Sequence, residues 1–471
     1  MQSPLSDAFA EHRLQQSKPR GNTMKVLVTG ASGCVGQAVV RALRSRGHQV
    51  VAAGRGLTDG RHTMHLDYSH AMTPAQWSER LRGRRIDAVV NCAGILMPSK
   101  GQSFERVHTQ GPIELFRGAA AVGITRVVQI SALGVGADAD SVATPYLHSK
   151  LLADEALATM GMDWAVLRPS LIYGPGSQSA ALFATLASMP LVALPRLGNQ
   201  PVQPVHVYEV AEAVARLLEQ QGGLADVYEL GGASALSYRE MLQHYRDAMG
   251  YGPALWLPMP MAWMRFLAWA SEALPQKVFC RDTLHLLEKG QVPVPNSAIA
   301  LLGRSPSSLG QGLTVTPPQP LLDLQVQISP LLALCLRSSL AFMWIYTALI
   351  SLWWHEESGV RHVLAACGLS DHWGTAALLF SCCLNTLLGL WTLNRPGPVV
   401  YALQFGVLLG YTTVAAYLLP ELTLAHCLSL VKNLPVLGLI MLLWLSRPVQ
   451  NSTVPAHAPA SPLPKPGSAW S

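Results

Sequence analysis

Residues 24–36 read MKVLVTGASGCVG, a short apolar strand that runs into a turn with glycines at Gly30, Gly33 and Gly36. No other stretch restricts the fold as much. A strand that ends in a glycine turn and opens a helix lets backbone N–H groups approach a pyrophosphate, and the helix dipole favours that charge. Only glycine permits positive φ and such close backbone approach. The turn predicts a bound nucleotide. It gains weight from a Tyr146-x-x-x-Lys150 pair, because residues four apart share a helix face.

From Lys25 onward, short apolar runs alternate with amphipathic stretches. Strands are expected at Lys25–Thr29, Gln49–Ala53, Ala88–Asn91, Arg126–Ser131, Trp164–Arg168 and Val227–Leu230. Helices are expected at Val35–Arg46, Ile113–Val122, Tyr146–Met160, Tyr208–Gln220 and Tyr238–Met249. Strands spaced by helices argue for an α/β, doubly wound parallel sheet of Rossmann type. Proline-rich sequence after Arg168 is where such folds build a substrate pocket. Trp256–Trp269, rich in Trp, Met and Pro, reads as a lid on this soluble part, with a membrane-surface segment as the other reading.

Charge divides the chain. Of 62 Lys, Arg, Asp and Glu residues, ten lie from Ser329 to the end. Four apolar stretches follow there: Pro330–Trp354, Trp373–Asn394, Pro398–Leu419 and Leu422–Ser446. Each is long enough for a hydrocarbon core of about 30 Å, so an all-α four-helix transmembrane bundle is expected. Arg337 and Lys432 stand where long side chains snorkel. With both termini cytoplasmic, Arg395 and Arg447 lie inside and Arg361 outside, as the positive-inside rule asks; a bacterial inner membrane is the expected location. The expected division is a disordered extension over 1–23, a nucleotide-binding domain over 24–302, a linker over 303–328, a membrane domain over 329–447 and a disordered tail over 448–471. Translation from Met24 instead of Met1 fits the polar extension.

A net charge of +6 with no dense Lys/Arg tract argues against nucleic acid as a partner. Arg80, Arg82, Arg84 and Arg85 read as a solvated helix end. The eight cysteines form no C-x-x-C pair and read as free thiols, so no metal site is expected. His355, His362 and His372 flank the first two spans and read as a solvated loop.

The strings TGASGCVG (29–36), NCAG (91–94), VVQISALG (127–134), YLHSK (146–150) and RPSLIYGPG (168–176) resemble the extended or atypical short-chain dehydrogenase/reductase superfamily, near its NAD-dependent epimerase/dehydratase branch. The C-terminal part is similar, in helix number and texture, to the DoxX-like four-helix membrane domains.

The first resemblance implies that Thr29, Gly30, Ser32, Gly33, Val35 and Gly36 form the pyrophosphate turn, that Asp67 contacts adenine, and that Asn91, Ala93 and Gly94 line the adenine side. At the end of the second strand an acid would bind the ribose 2′-hydroxyl and repel a 2′-phosphate. This chain has Ala53-Gly54-Arg55 instead, and Arg55 suits a 2′-phosphate, so NADP is favoured over NAD. The resemblance also implies catalytic roles: Tyr146 exchanges a proton with substrate, Lys150 lowers the phenol's pKa and holds the nicotinamide ribose, and Ser131 bonds the substrate oxygen. Where the family often has a water-relaying asparagine, this chain has His108, which either substitutes or leaves no relay. His206 in QPVHV reads as structural.

The expected function is a membrane-anchored NAD(P)-dependent oxidoreductase, NADP favoured, acting on a carbonyl or hydroxyl of a small molecule, with lipid-soluble substrates included. The alternatives are a non-catalytic NADP-binding sensor or assembly subunit of a membrane complex, and a sugar-nucleotide epimerase. Expected partners are substrate, membrane lipid, and either a second copy or a membrane protein.

Overall fold

The computed structural model describes residues 23–70, 72–99, 101–136, 144–252, 254–272, 279–320, 326–328, 330–353, 371–418 and 433–448. The chain divides into two compact units, Met1–Leu324 and Gln325–Ser471.

The first unit is built on a seven-stranded sheet: β1 (Lys25–Thr29), β2 (Gln49–Gly54), β3 (Thr63–His65), β4 (Ala88–Asn91), β5 (Arg126–Ile130), β6 (Asp163–Pro169) and β7 (Ala225–Leu230). Their order is β7-β6-β5-β4-β1-β2-β3, and every neighbouring pair is parallel. Chain order reverses beside β1, which makes the gap between the ends of β1 and β4 the switch point where such sheets open a ligand crevice.

Helices cover both faces: α1 (Cys34–Ser45), α2 (Pro74–Arg82), α3 (Gly111–Ala121), α4 (Pro145–Ala158) and, after α5 (Gln178–Ser188), which lies off the sheet, α6 (Val207–Glu219). Successive strand residues point to opposite sides. Val26 and Val28 join Val39 and Leu43 of α1 and Val210 and Val214 of α6 in one buried cluster. Leu27 joins Trp77, Phe116 and Leu157 in the other. A sheet buried on both faces requires continuous apolar strands, as β1 and β2 are.

A smaller subdomain contains α5, α7 (Tyr238–Ala248), α8 (Met261–Ser271), α9 (Arg281–Lys289) and, after α10 (Ala298–Leu302), which returns to the sheet cluster through Ala298, Leu301 and Leu302, α11 (Leu309–Val315). Part of the stretch expected to be a linker is instead a packed helix. Ser308 caps α11, and Leu309 and Leu313 lie in a buried cluster with Tyr173 and Tyr245. The arginine cluster also differs from a simply solvated helix end. Arg80 bonds both carboxylate oxygens of Asp59 at 2.9 and 3.1 Å, and Arg84 donates to the Gly60 carbonyl, so the pair fastens the loop after β2.

The second unit contains α12 (Pro330–Trp353), α13 (Asp371–Asn394), α14 (Pro398–Leu418) and α15 (Asn433–Leu445). Polar groups face inward: Thr392 and Gln404 are fully buried and bond to each other, and Asn385 accepts from the Tyr411 hydroxyl. Phe342, Trp353, Trp373 and Phe380 lie outside, 67–88% exposed. A helix unit with its polar groups inside and its aromatics outside suits lipid, not water. Gly389 lets α12 approach closely, since a Cβ there would stand 2.8 Å from Ile345. Of the four expected spans, two helices, Pro330–Trp353 and His372–Asn394, are long and apolar enough among the described residues. Lys432, Arg361, His355, His362, residues 1–22 and the tail from 449 lie outside the described residues.

Candidate active site

Each glycine of the turn meets a different constraint. Gly30 has φ +64°, and a Cβ there would stand 2.7 Å from the Ala93 nitrogen, so the turn rests directly against the end of β4. A Cβ on Gly36 would overlap the Gly30 carbonyl, which is how α1 sits so close to the turn. Gly33 is open: a Cβ there would meet only the Gly30 oxygen, at 3.3 Å. Gly33 also stands at the N-cap of α1 with no side-chain cap, so the first N–H groups of that helix remain available. These features fit a pyrophosphate cradle.

Arg55 follows Gly54 at the end of β2. A Cβ on Gly54 would lie 3.2 Å from Ser32 Oγ, so the serine hydroxyl of the turn adjoins the strand end that carries Arg55. Asp67 is half-buried after β3 and accepts the Ser69 backbone N–H at 2.9 Å. Burial pushes its carboxyl up, but hydrogen bonds from Ser69 and Gln102 and the nearby Arg55 outweigh this and hold it below the usual range. Val35 is half-buried against the core.

Thr29 and Asn91 differ from the expected picture of cofactor-lining side chains. Both are 0% exposed. The Thr29 hydroxyl donates to Asn91 Oδ1, and Asn91 Nδ2 donates to Gln129 Oε1 at 2.7 Å. Buried polar groups need partners. These three find one another and tie together the ends of β1, β4 and β5. Ala93 is half-buried and Gly94 is exposed beyond them.

Tyr146 and Lys150 lie on α4, which starts at Pro145 and is capped by Thr144. Lys150 is 5% exposed and Nζ donates to the Ile130 carbonyl at 3.1 Å. Burial lowers its pKa to about 8, although Asp154 and Cys92 favour the charge. The lysine stands 3.6 Å from where a Cβ on Gly94 would be, and His108 Nε2 stands equally close. Tyr146 departs from the expected lowering. Its phenol is pushed up, chiefly by burial and further by Asp282 and Cys280.

His108 is not placed to relay protons. It sits in a π-helical turn, Glu105–Gln110, that leads into α3. Nε2 accepts the Ile95 N–H at 3.0 Å, which leaves the ring proton on Nδ1 for Ser149 Oγ at 2.9 Å. Burial and Lys150 hold its pKa well below the ordinary value, so the ring is neutral. Phe104 stacks on it and Tyr146 meets it edge-on, with centroids 5.3 and 5.5 Å away. His108 holds the Tyr146 ring in place. His206 is structural: it caps α6 and bonds Thr316 Oγ1 at 2.8 Å.

Four functional neighbours, Asp154, Arg168, Asp282 and Cys280, carry no signal strong enough to be read from the sequence. Ser131 Oγ donates to Asp154 Oδ2 at 2.7 Å, and Arg168 bridges the same carboxylate oxygen at 3.2 Å. Asp154 is one helical turn beyond Lys150, a spacing that could have drawn notice. Asp282 on α9 and Cys280 at its N-cap reach Tyr146 from more than 130 positions later, and only the fold brings them there.

Residues 26–231 match the NAD dependent epimerase/dehydratase family and residues 341–441 the DoxX-like family. The chain is therefore a fusion, an epimerase/dehydratase-family domain followed by a DoxX-like domain. A non-ribosomal peptide synthetase, CmlP, of Streptomyces venezuelae is 33% identical over 32% of this chain and 18% of its own length. A mitochondrial NADH dehydrogenase [ubiquinone] 1 alpha subcomplex subunit 9 of Dictyostelium discoideum is 23% identical over 54% of this chain and 71% of its own. A 3-diazoavenalumate denitrifying reductase of a Streptomyces species is 27% identical over 52% and 88%. The family uses nicotinamide cofactors, and its membership supports an oxidoreductase.

Proposed function

We propose that the chain is a membrane-anchored, NADP-preferring oxidoreductase that moves a hydride between the nicotinamide and a carbonyl or hydroxyl carbon of a lipid-soluble molecule. We read the helical unit as four spans with both termini cytoplasmic. The observation that carries the proposal is the grouping at the switch point: an open glycine cradle, Gly54 beside Ser32 with Arg55 next in the chain, and Tyr146 with Lys150 buried next to Gly94.

The cofactor, when bound, supplies the hydride. The protein's part is to orient and to move a proton. Gly33 and the start of α1 receive the pyrophosphate, and Arg55 receives the 2′-phosphate as a fork of charged donors. Lys150, with its pKa near 8, holds positive charge next to the ribose side at neutral pH. Tyr146, buried and braced by His108 and Phe104, keeps its proton until a carbonyl oxygen gaining charge takes it. Removing the phenol oxygen removes that donor. In detergent, Tyr146→Phe is expected to keep nucleotide affinity and lose NADPH oxidation against a carbonyl and quinone panel by about 10²-fold or more. Full turnover by the variant contradicts the reading.

A second reading, an assembly or redox-sensing subunit, is favoured by one observation. The Ser131 hydrogen is committed to Asp154 and is not free for a substrate oxygen. The similarity to the NADH dehydrogenase subunit supports it too. Tight NADPH binding without turnover on any panel member favours that reading.

A further inference from the structure

Helix α8 buries Ala268 and leaves Trp263, Phe266, Leu267 and Trp269 exposed, at 60%, 52%, 42% and 57%. The three rings adjoin, with Trp263–Phe266 centroids 6.0 Å apart and Phe266–Trp269 5.8 Å apart. So many large apolar side chains on eleven helical residues mark a contact surface, not a solvated lid. The arginines on and beside it are each paired: Arg265 with Glu288 at 3.2 Å and Arg281 with Glu272 at 3.0 Å.

We propose that α8 docks the first unit on the head-group boundary of a lipid bilayer. Three features select lipid as the occupant. The same chain carries the apolar helices Pro330–Trp353 and His372–Asn394, so its own covalent connection keeps α8 at high effective concentration near a bilayer, and weak docking suffices. Indoles, with an apolar body and one N–H, are the side chains favoured at that depth. Pairing of Arg265 and Arg281 spares the face the cost of a free charge brought toward acyl chains.

The docking has a consequence for substrate, which rests on the oxidoreductase reading. Arg265 and Glu288 join α8 to α9, and α9 carries Asp282, which accepts the Tyr146 backbone N–H, while Cys280 at its N-cap also acts on the phenol. The docked pair sets one wall of the Tyr146 site against the membrane. The substrate class is then a carbonyl or alcohol dissolved in the bilayer.

The test uses the full chain in liposomes of phosphatidylcholine and phosphatidylglycerol, with the photo-reactive analogue p-benzoylphenylalanine at position 266. Irradiation is expected to give a lipid adduct in at least about tenfold excess over the same analogue at Glu79, exposed on α2. Cross-links from 266 to residues 326–448, or to a second copy of the chain, overturn the proposal, and so does the absence of a lipid adduct. NADPH binding is read in the same liposomes. Binding without a lipid adduct sinks the docking alone, whereas an adduct without binding upholds the docking and sinks the oxidoreductase reading.

Discussion

Ser131 can offer a hydrogen to a substrate oxygen only when Asp154 no longer takes it. Their bond is 2.7 Å long, and burial raises the Asp154 carboxyl above its ordinary pKa against the pull of Ser131, Arg168 and Lys150. The Asp154–Arg168 pair is 4% and 14% exposed, so Asp154→Ala strands a buried guanidinium. That change should destabilise the protein by about 3–5 kcal/mol in thermal unfolding, and Asp154→Asn should cost distinctly less because its amide keeps an oxygen for Arg168. Lys150 gives a pH signature. Its folded pKa of about 8 lies below the unfolded value, so between those values the unfolded chain binds more protons and stability rises with pH. Unfolding of the nucleotide-free protein at pH 7.5–9.5 should show that rise, and Lys150→Met should flatten it. A variant with the same slope as wild type would show that the lysine is not buried as a charge.

The glycine turn makes a prediction at the level of the element. Gly33→Ala meets one backbone oxygen at 3.3 Å, so the fold should survive while the methyl blocks the pyrophosphate. Gly36→Ala overlaps the Gly30 carbonyl and should lose both stability and nucleotide binding. Circular dichroism with NADPH titration separates the two, and equal behaviour of both variants would contradict the assigned roles. This turn was legible in the sequence because its geometry is local. So were β1, β2 and β4, whose apolar runs reflect burial on both faces. β3 was not legible, since Thr63–His65 is three residues with a single buried apolar side chain. The π-helical turn at Glu105–Gln110 was hidden too, because its form depends on partners at Ile95 and Ser149. Tyr146 and Lys150 could be named from their spacing. The upward shift of the phenol could not, because α9 causes part of it and lies far along the chain.

The molecule joins a nucleotide-type sheet to a helical unit with its polar groups inside. Charge distribution alone indicated that division, and the boundary after Leu324 falls within the expected linker; it did not indicate that α11 packs into the first unit through Leu309 and Leu313. If the second unit is integral to a membrane, the chain should stay with the membrane pellet after alkaline carbonate washing. Release into the supernatant would mean that the apolar outer face is covered by protein instead. The most direct test of the whole account is a fluorescence titration of the detergent-solubilised full chain with NADPH and NADH, beside Arg55→Ala. Wild type should bind NADPH more tightly than NADH, and the variant should lose about tenfold or more for NADPH alone. Failure of wild type to bind either nucleotide would contradict the account.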